Sequence, residues 1–174
     1  MIVRSSSPGA TRALAGRMAA VAQAGDRLAL IGPLGAGKTE FAKGFAAALG
    51  VTETVTSPSF TLMAEYAGRL PLFHLDLYRI AGTQDAIEGG LLDEREGEGV
   101  TLIEWAERLD AAIDPGRLEV RIAIVAEETR DIEVVAAGAD HDRYLAAAAG
   151  SAAPEASRAQ ASRAEAPPTE ARRP

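Results

Sequence analysis

Two rhythms of hydrophobic and polar positions run through the first 140 residues. Leu14, Met18, Val21 and Ala22 form an apolar stripe at helical spacing. Ser7-Pro8 supplies a start for that helix, with Ser as cap and Pro in the first turn, and Gly25 supplies an end. Residues 27–31 are a short apolar run that reads as a buried strand. Lys38 to Leu49 read as a second helix, with Gly50 just beyond its end. Phe60 to Tyr66 and Leu72 to Leu77 read as strands joined by a turn at Ala67-Gly68-Arg69. Val100 to Ile103 is a further apolar strand. Leu118, Val120, Ile122 and Ile124 alternate strictly, so this strand has two unlike faces, and Ile132 to Val135 is placed to pair with it across Glu127-Glu128-Thr129. Strands alternating with helices early, followed by a hairpin, predict an α/β sandwich. Its sheet is expected to be largely parallel with antiparallel strands added.

Ser151 to Pro174 break the pattern. They contain no Val, Ile, Leu, Phe, Tyr or Trp. A segment without large apolar side chains cannot offset its ordering entropy by burial. The chain is therefore read as one domain over residues 1–150 and a tail over 151–174 that is expected to be disordered.

Composition narrows the chemistry. Apolar residues make up 47% of the chain, enough for a sizeable core. There is no cysteine, which excludes disulfides and thiolate metal sites and fits a reducing compartment. Two histidines leave little for a histidine-rich zinc site. No apolar stretch reaches the ~18 residues needed to span a bilayer, and residues 1–18 lack the continuous apolar core of a signal peptide. A cytosolic location without membrane contact is expected. The net charge of −7 provides no general field for nucleic acid.

Against that background one stretch carries specific chemistry. Gly32-Pro33-Leu34-Gly35-Ala36-Gly37-Lys38-Thr39 follows the apolar run at 27–31 and opens the second helix. This is the spacing of a phosphate-binding loop. Glycines let consecutive backbone N–H groups face one concavity, and the helix adds its unpaired N–H groups and positive dipole end. Lys38 would reach the β- and γ-phosphates, and the Thr39 hydroxyl would ligate Mg²⁺. Two acids end neighbouring apolar strands, Asp76 after Leu72–Leu75 and Glu104 after Val100–Ile103. Ligands of open α/β sheets gather at the carboxyl ends of strands, so both acids are candidates for the metal shell.

Four segments occur together and in order: Leu34-Gly35-Ala36-Gly37-Lys38-Thr39, Ser57-Pro58-Ser59-Phe60-Thr61-Leu62, His74-Leu75-Asp76-Leu77-Tyr78-Arg79 and Ile103-Glu104-Trp105. Over residues 5–140 the chain resembles the TsaE family, once called YjeE. The resemblance implies a three-layer sandwich of the P-loop NTPase kind. It implies a Mg²⁺-dependent ATPase serving the TsaB–TsaD enzyme in threonylcarbamoyl modification of the tRNA adenosine next to the anticodon. Contact with tRNA would come only through that complex. By the same resemblance Gly35, Ala36, Gly37, Lys38, Thr39 and Glu40 hold the nucleotide, joined by Thr11 and Arg130. Thr39 and Glu104 hold Mg²⁺. Lys38, Asp76 and Glu104 are the catalytic set, with Asp76 near the γ-phosphate or the metal's water shell. Ser57 to Thr61 form a mobile loop facing the phosphates, and Trp105 lies at the site or at a partner surface. The chain departs from the family at Ala10, where an acid is usual, at Glu40, where a second Thr is common, and at Ser59, a frequent Thr. Glu40 bears on affinity, since a carboxylate near phosphates repels them unless it points away.

Several residues keep two readings. His74 is either a satisfied strand residue or a base. Arg79 either stabilises a transferring phosphate or makes a structural ion pair. Phe60 and Tyr78 could be plain core aromatics. Glu94, Glu96 and Glu98 read as a solvated acidic loop. A small-molecule kinase is the main rival function, although residues 80–115 hold only Arg95 and Arg108 for an arginine-rich lid. A nucleotide switch that does not hydrolyse is the third.

Overall fold

Strand and helix alternate along most of the chain. The computed structural model describes residues 1–91, 97–110, 112 and 115–150. The elements are β1 (Ile2–Ser5), α1 (Pro8–Ala20), β2 (Arg27–Ile31), α2 (Lys38–Ala48), β3 (Met63–Tyr66), β4 (Leu72–Asp76), α3 (Thr83–Glu88), β5 (Val100–Glu104), β6 (Leu118–Ile124), β7 (Arg130–Val135) and α4 (Asp142–Ala148). The tail at 151–174 and Glu94, Arg95 and Glu96 lie outside the described residues.

The seven strands form one sheet in the order β1-β7-β6-β2-β5-β4-β3. The central four, β6, β2, β5 and β4, are parallel. β3 adds to one edge antiparallel, and β7 and β1 add to the other in the same way. Helices α1, α2 and α4 cover one face, where Leu14, Met18, Phe41, Phe45 and Tyr144 pack on Leu28, Leu30, Leu102 and Val120. The opposite face carries a smaller cluster of Ala29, Leu75, Ile103, Ala86 and Leu109 beneath α3 and a 3₁₀ turn at Ala106–Arg108. These are the three layers of a P-loop NTPase-like fold. Burying a side chain such as Phe41 contributes about 1.5–3 kcal/mol, so the α1–α2 layer anchors the sheet. The two helices cross closely at Gly44, where a Cβ would stand 2.3 Å from the Arg12 carbonyl oxygen.

Boundaries differ from expectation by two or more residues at three places, each for a local reason. α1 stops at Ala20 rather than continuing toward Gly25. The Asp26 carboxylate accepts the Gln23 N–H at 2.7 Å, taking a donor that a longer helix would have turned back to Ala19. β3 starts at Met63, not Phe60. The Leu62 N–H donates to the Pro58 carbonyl at 2.7 Å, and Leu62 sits at φ 66, so Phe60–Leu62 form a turn. β7 starts at Arg130, two residues before the apolar run, because the hairpin closes at Ala126–Thr129. The register pairs Ile122 with Ile132, as the alternation predicts. β1, α3 and α4 are elements the apolar pattern did not single out.

Candidate functional site

The phosphate loop leaves the end of β2 and enters α2. Two of its glycines have definite roles. At Gly32 a Cβ would lie 2.4 Å from the Ile122 carbonyl oxygen, so the loop can pass β6 only without a side chain. Gly37 is the N-cap of α2 at φ 103, a left-handed backbone with no capping side chain. The N–H groups of the first turn are therefore left for an anion, where the helix dipole favours one.

The residues expected at the site converge there. A cavity of about 520 Å³ is lined by Leu34–Glu40, Ser57, Ser59, Asp76, Tyr78, Arg79, Glu104 and Trp105. Lys38 is buried against the loop. Its ammonium donates to the carbonyls of Gly32 at 2.6 Å and Pro33 at 3.0 Å and lies 3.6 Å from the centre of the Trp105 ring. Burial lowers its pKa, and the carboxylates of Glu104, Glu107 and Asp76 only partly restore it. Tyr78 packs against Trp105 with ring centres 4.9 Å apart, and Trp105 holds a left-handed backbone at φ 60.

The Thr39 hydroxyl donates to Glu104, 2.9 Å from Oε1 and 3.1 Å from Oε2. His74 is fully buried, with Nε2 2.9 Å from the same Oε1, and it does not line the cavity. It thus orients Glu104 from inside the sheet rather than facing a ligand. Asp76 holds the loop opposite. Ser59 Oγ donates to its Oδ2 at 2.6 Å, Ser57 Oγ donates to the same oxygen, and Tyr78 N–H donates to Oδ1 at 2.9 Å. Burial pushes the Asp76 carboxyl up, but these donors and the nearby His74 outweigh it and hold the group below its usual range.

The oxygens gathered here would suit a hard cation. Thr39, Glu104 and Asp76 offer only oxygen. Among the described residues no group of three or more His, Asp or Glu forms a cage. Magnesium is held in this way when phosphates and water supply most of its shell.

A second cavity of about 320 Å³ adjoins the first. It is lined by Ser7, Pro8, Thr11, Gly35–Gly37, Glu40, Glu127, Glu128 and Arg130. Thr11 is buried there, its hydroxyl 2.8 Å from that of Ser5. The Arg130 guanidinium donates to the carbonyls of Ala36 at 3.0 Å and Gly35 at 3.2 Å, and to Ala126, Glu127 and Thr129 at 2.9–3.0 Å. It clamps the phosphate loop to the β6–β7 turn. Glu40 lines both cavities. Its carboxylate accepts from Lys43 Nζ at 2.7 Å and from the Arg12 guanidinium, so its charge is met by two cations.

The family described as "Threonylcarbamoyl adenosine biosynthesis protein TsaE" matches residues 5–132. The chain belongs to the TsaE family. The TsaE protein of Bacillus subtilis is 43% identical over 136 residues, 78% of this chain and 85% of that one. The TsaE protein of Treponema pallidum is 42% identical over 110 residues, 63% of this chain and 82% of that one. The crystal structure of Bacillus subtilis YdiB superposes with a TM-score of 0.68 at 37% identity, covering 86% of this chain and 94% of that one. The TsaE assignment gives the chain a role in tRNA threonylcarbamoyladenosine biosynthesis. Among the described residues no helix is long and apolar enough to cross a membrane.

Sequence reasoning missed the partners of Glu40. Lys43 was legible, since residues three apart on a helix are neighbours. Arg12 had no such signal, being 28 residues away. Glu127 and Glu128, read as a plain turn, face the second cavity. Arg79 lines the first cavity with its guanidinium carbon 4.2 Å from the centre of the exposed Phe60 ring. Phe60 and Tyr78 are therefore not core aromatics. Glu98 is exposed.

Proposed function

We propose that this TsaE chain is a cytosolic, Mg²⁺-dependent ATPase whose cycle serves the TsaB–TsaD enzyme as it modifies the tRNA adenosine beside the anticodon. The observation that carries the reading is the convergence of Lys38, Thr39, Asp76 and Glu104 on one cavity at the N-terminus of α2.

In this reading the first-turn N–H groups of α2 and the Lys38 ammonium take the phosphates. Lys38 leaves the Gly32 and Pro33 carbonyls to do so. Thr39 and Glu104 would hold Mg²⁺, which when bound would supply charge neutralisation for the phosphates. Asp76 stays ionised because its pKa is depressed. It is therefore a weak base and acts by orienting the attacking water through an accepted hydrogen bond. Water oxygen bonds to the γ-phosphorus, the bond to the β–γ bridging oxygen breaks, and ADP departs with that electron pair. The proton of water ends on phosphate or solvent. Arg79, stacked on Phe60 at the cavity wall, is the cation lining the cavity besides Lys38 and can add as charge develops.

The test is single-turnover phosphate release with Mg²⁺-ATP, alone and with purified TsaB–TsaD. Release of ADP and phosphate that rises with the pair supports the reading. Tight ATP binding with no phosphate release under either condition would leave a switch, and phosphate transfer to a small acceptor would make it a kinase.

A further inference from the structure

Glu40 sits where the chain departs from its family, and the structure shows what surrounds it. It belongs to the first turn of α2 and lines both cavities. The two cavities also share Gly35, Ala36 and Gly37, so they meet along the phosphate loop. The first cavity holds Asp76, Glu104, Lys38 and Trp105 and is the reacting end. A nucleotide anchored there by its phosphates would find the adjoining second cavity for its nucleoside, with Glu40 on the walls of both.

An unpaired acid at this junction would repel the phosphates. Here Arg12 from α1 and Lys43 from α2 bind one carboxylate oxygen each, Oε2 and Oε1. The two cations meet the carboxylate's charge, one at each oxygen. One negative and two positive charges leave the cluster net cationic. The pairing also fixes the carboxylate in one orientation. Each carboxylate oxygen can accept two hydrogen bonds, so each retains one free acceptor position. Two fixed, adjacent acceptors suit a vicinal diol, as acids do on ribose hydroxyls in dinucleotide folds.

We propose that Glu40 is a ribose-recognition residue: held between Arg12 and Lys43 at the junction of the two cavities, it accepts the 2′- and 3′-hydroxyls of the bound nucleotide and makes the site select ribonucleotides. The inference rests on the nucleotide reading above and adds the part of the substrate that is read.

The experiment is calorimetric titration of the full chain with Mg²⁺-ATP, Mg²⁺-2′-deoxyATP and Mg²⁺-3′-deoxyATP. Wild type, Glu40→Gln and Glu40→Thr are compared after melting curves show each variant folded. Wild type is expected to bind ATP at least about tenfold more tightly than either deoxy form, the scale of one hydrogen bond to a charged group. Glu40→Thr is expected to bind all three within about twofold of one another, and Glu40→Gln, with one acceptor oxygen, to fall between. Equal binding of ATP and deoxyATP by wild type, or undiminished discrimination in Glu40→Thr, overturns the proposal while leaving the nucleotide reading intact. Binding of none of the three by wild type overturns both.

Discussion

Replacing Lys38 by alanine tests the site at its centre. In the resting site the ammonium already makes two hydrogen bonds, to the Gly32 and Pro33 carbonyls, and faces the Trp105 ring. Nucleotide binding exchanges these for phosphate oxygens, so truncation costs only the difference. Two charge-assisted bonds to phosphate contribute about 3–6 kcal/mol together. The two bonds surrendered at rest, to neutral carbonyls, offset roughly half of that. A net loss of about 1.5–3 kcal/mol remains, or about 12- to 150-fold in affinity. Titration with a fluorescent ATP analogue in saturating Mg²⁺ measures it. The pH dependence gives a second reading. Burial lowers the Lys38 pKa, and only the charged form attracts phosphate, so wild-type affinity should fall as pH rises through a value below the ordinary 10.5. Lys38→Ala should lack that alkaline limb. Unchanged affinity in the variant, or an identical alkaline limb, would refute the reasoning.

Three further tests address neighbouring parts. Glu104→Ala should raise the Mg²⁺ needed for half-maximal hydrolysis by about tenfold, as loss of a metal-site group does, and Asp76→Asn should lower turnover more than ATP affinity; Mg²⁺ titrations indistinguishable from wild type in both would remove these acids from the site. Gly44→Ala forces a methyl into the Arg12 backbone and should destabilise by about 1–3 kcal/mol, lowering the melting temperature by several degrees; an unchanged melting curve would mean the α1–α2 crossing yields freely. Trp105→Ala should lose the stimulation of phosphate release by TsaB–TsaD while binding Mg²⁺-ATP within a few-fold of wild type; full stimulation in the variant would exclude the tryptophan from the docking surface.

What could be seen in the chain beforehand follows from how local each signal is. The phosphate loop was legible because its chemistry demands glycines and a lysine at set intervals beside a strand and a helix. Asp76 and Glu104 were legible because each ends an apolar strand, and the β6–β7 pairing because Leu118–Ile124 alternate without a break. β1 was hidden because a four-residue edge strand has too few positions to show a period. α4 was hidden because it is only seven residues long, with Tyr144 its one large buried side chain. Phe60–Leu62 looked like strand because apolar content says nothing about the Pro58–Leu62 turn. The Arg12–Glu40 pair and the Arg130 clamp depend on which elements meet in space, and no spacing along the chain encodes that.

The Arg130 clamp has a mechanical consequence. The Ala36 carbonyl and the Gly37 N–H belong to one rigid trans peptide and point to opposite sides. By drawing that carbonyl toward the hairpin, Arg130 aims the amide at the other wall before any ligand arrives. The ordering of the loop is thus completed during folding, and binding does not have to supply it. Through Arg130, 94 residues further along the chain than Ala36, the β6–β7 turn becomes a tuning screw for anion affinity. Changes in Ala126–Thr129 that never touch a nucleotide should register as looser or tighter grip on one. Amide hydrogen exchange in the glycine-rich loop should follow the same changes.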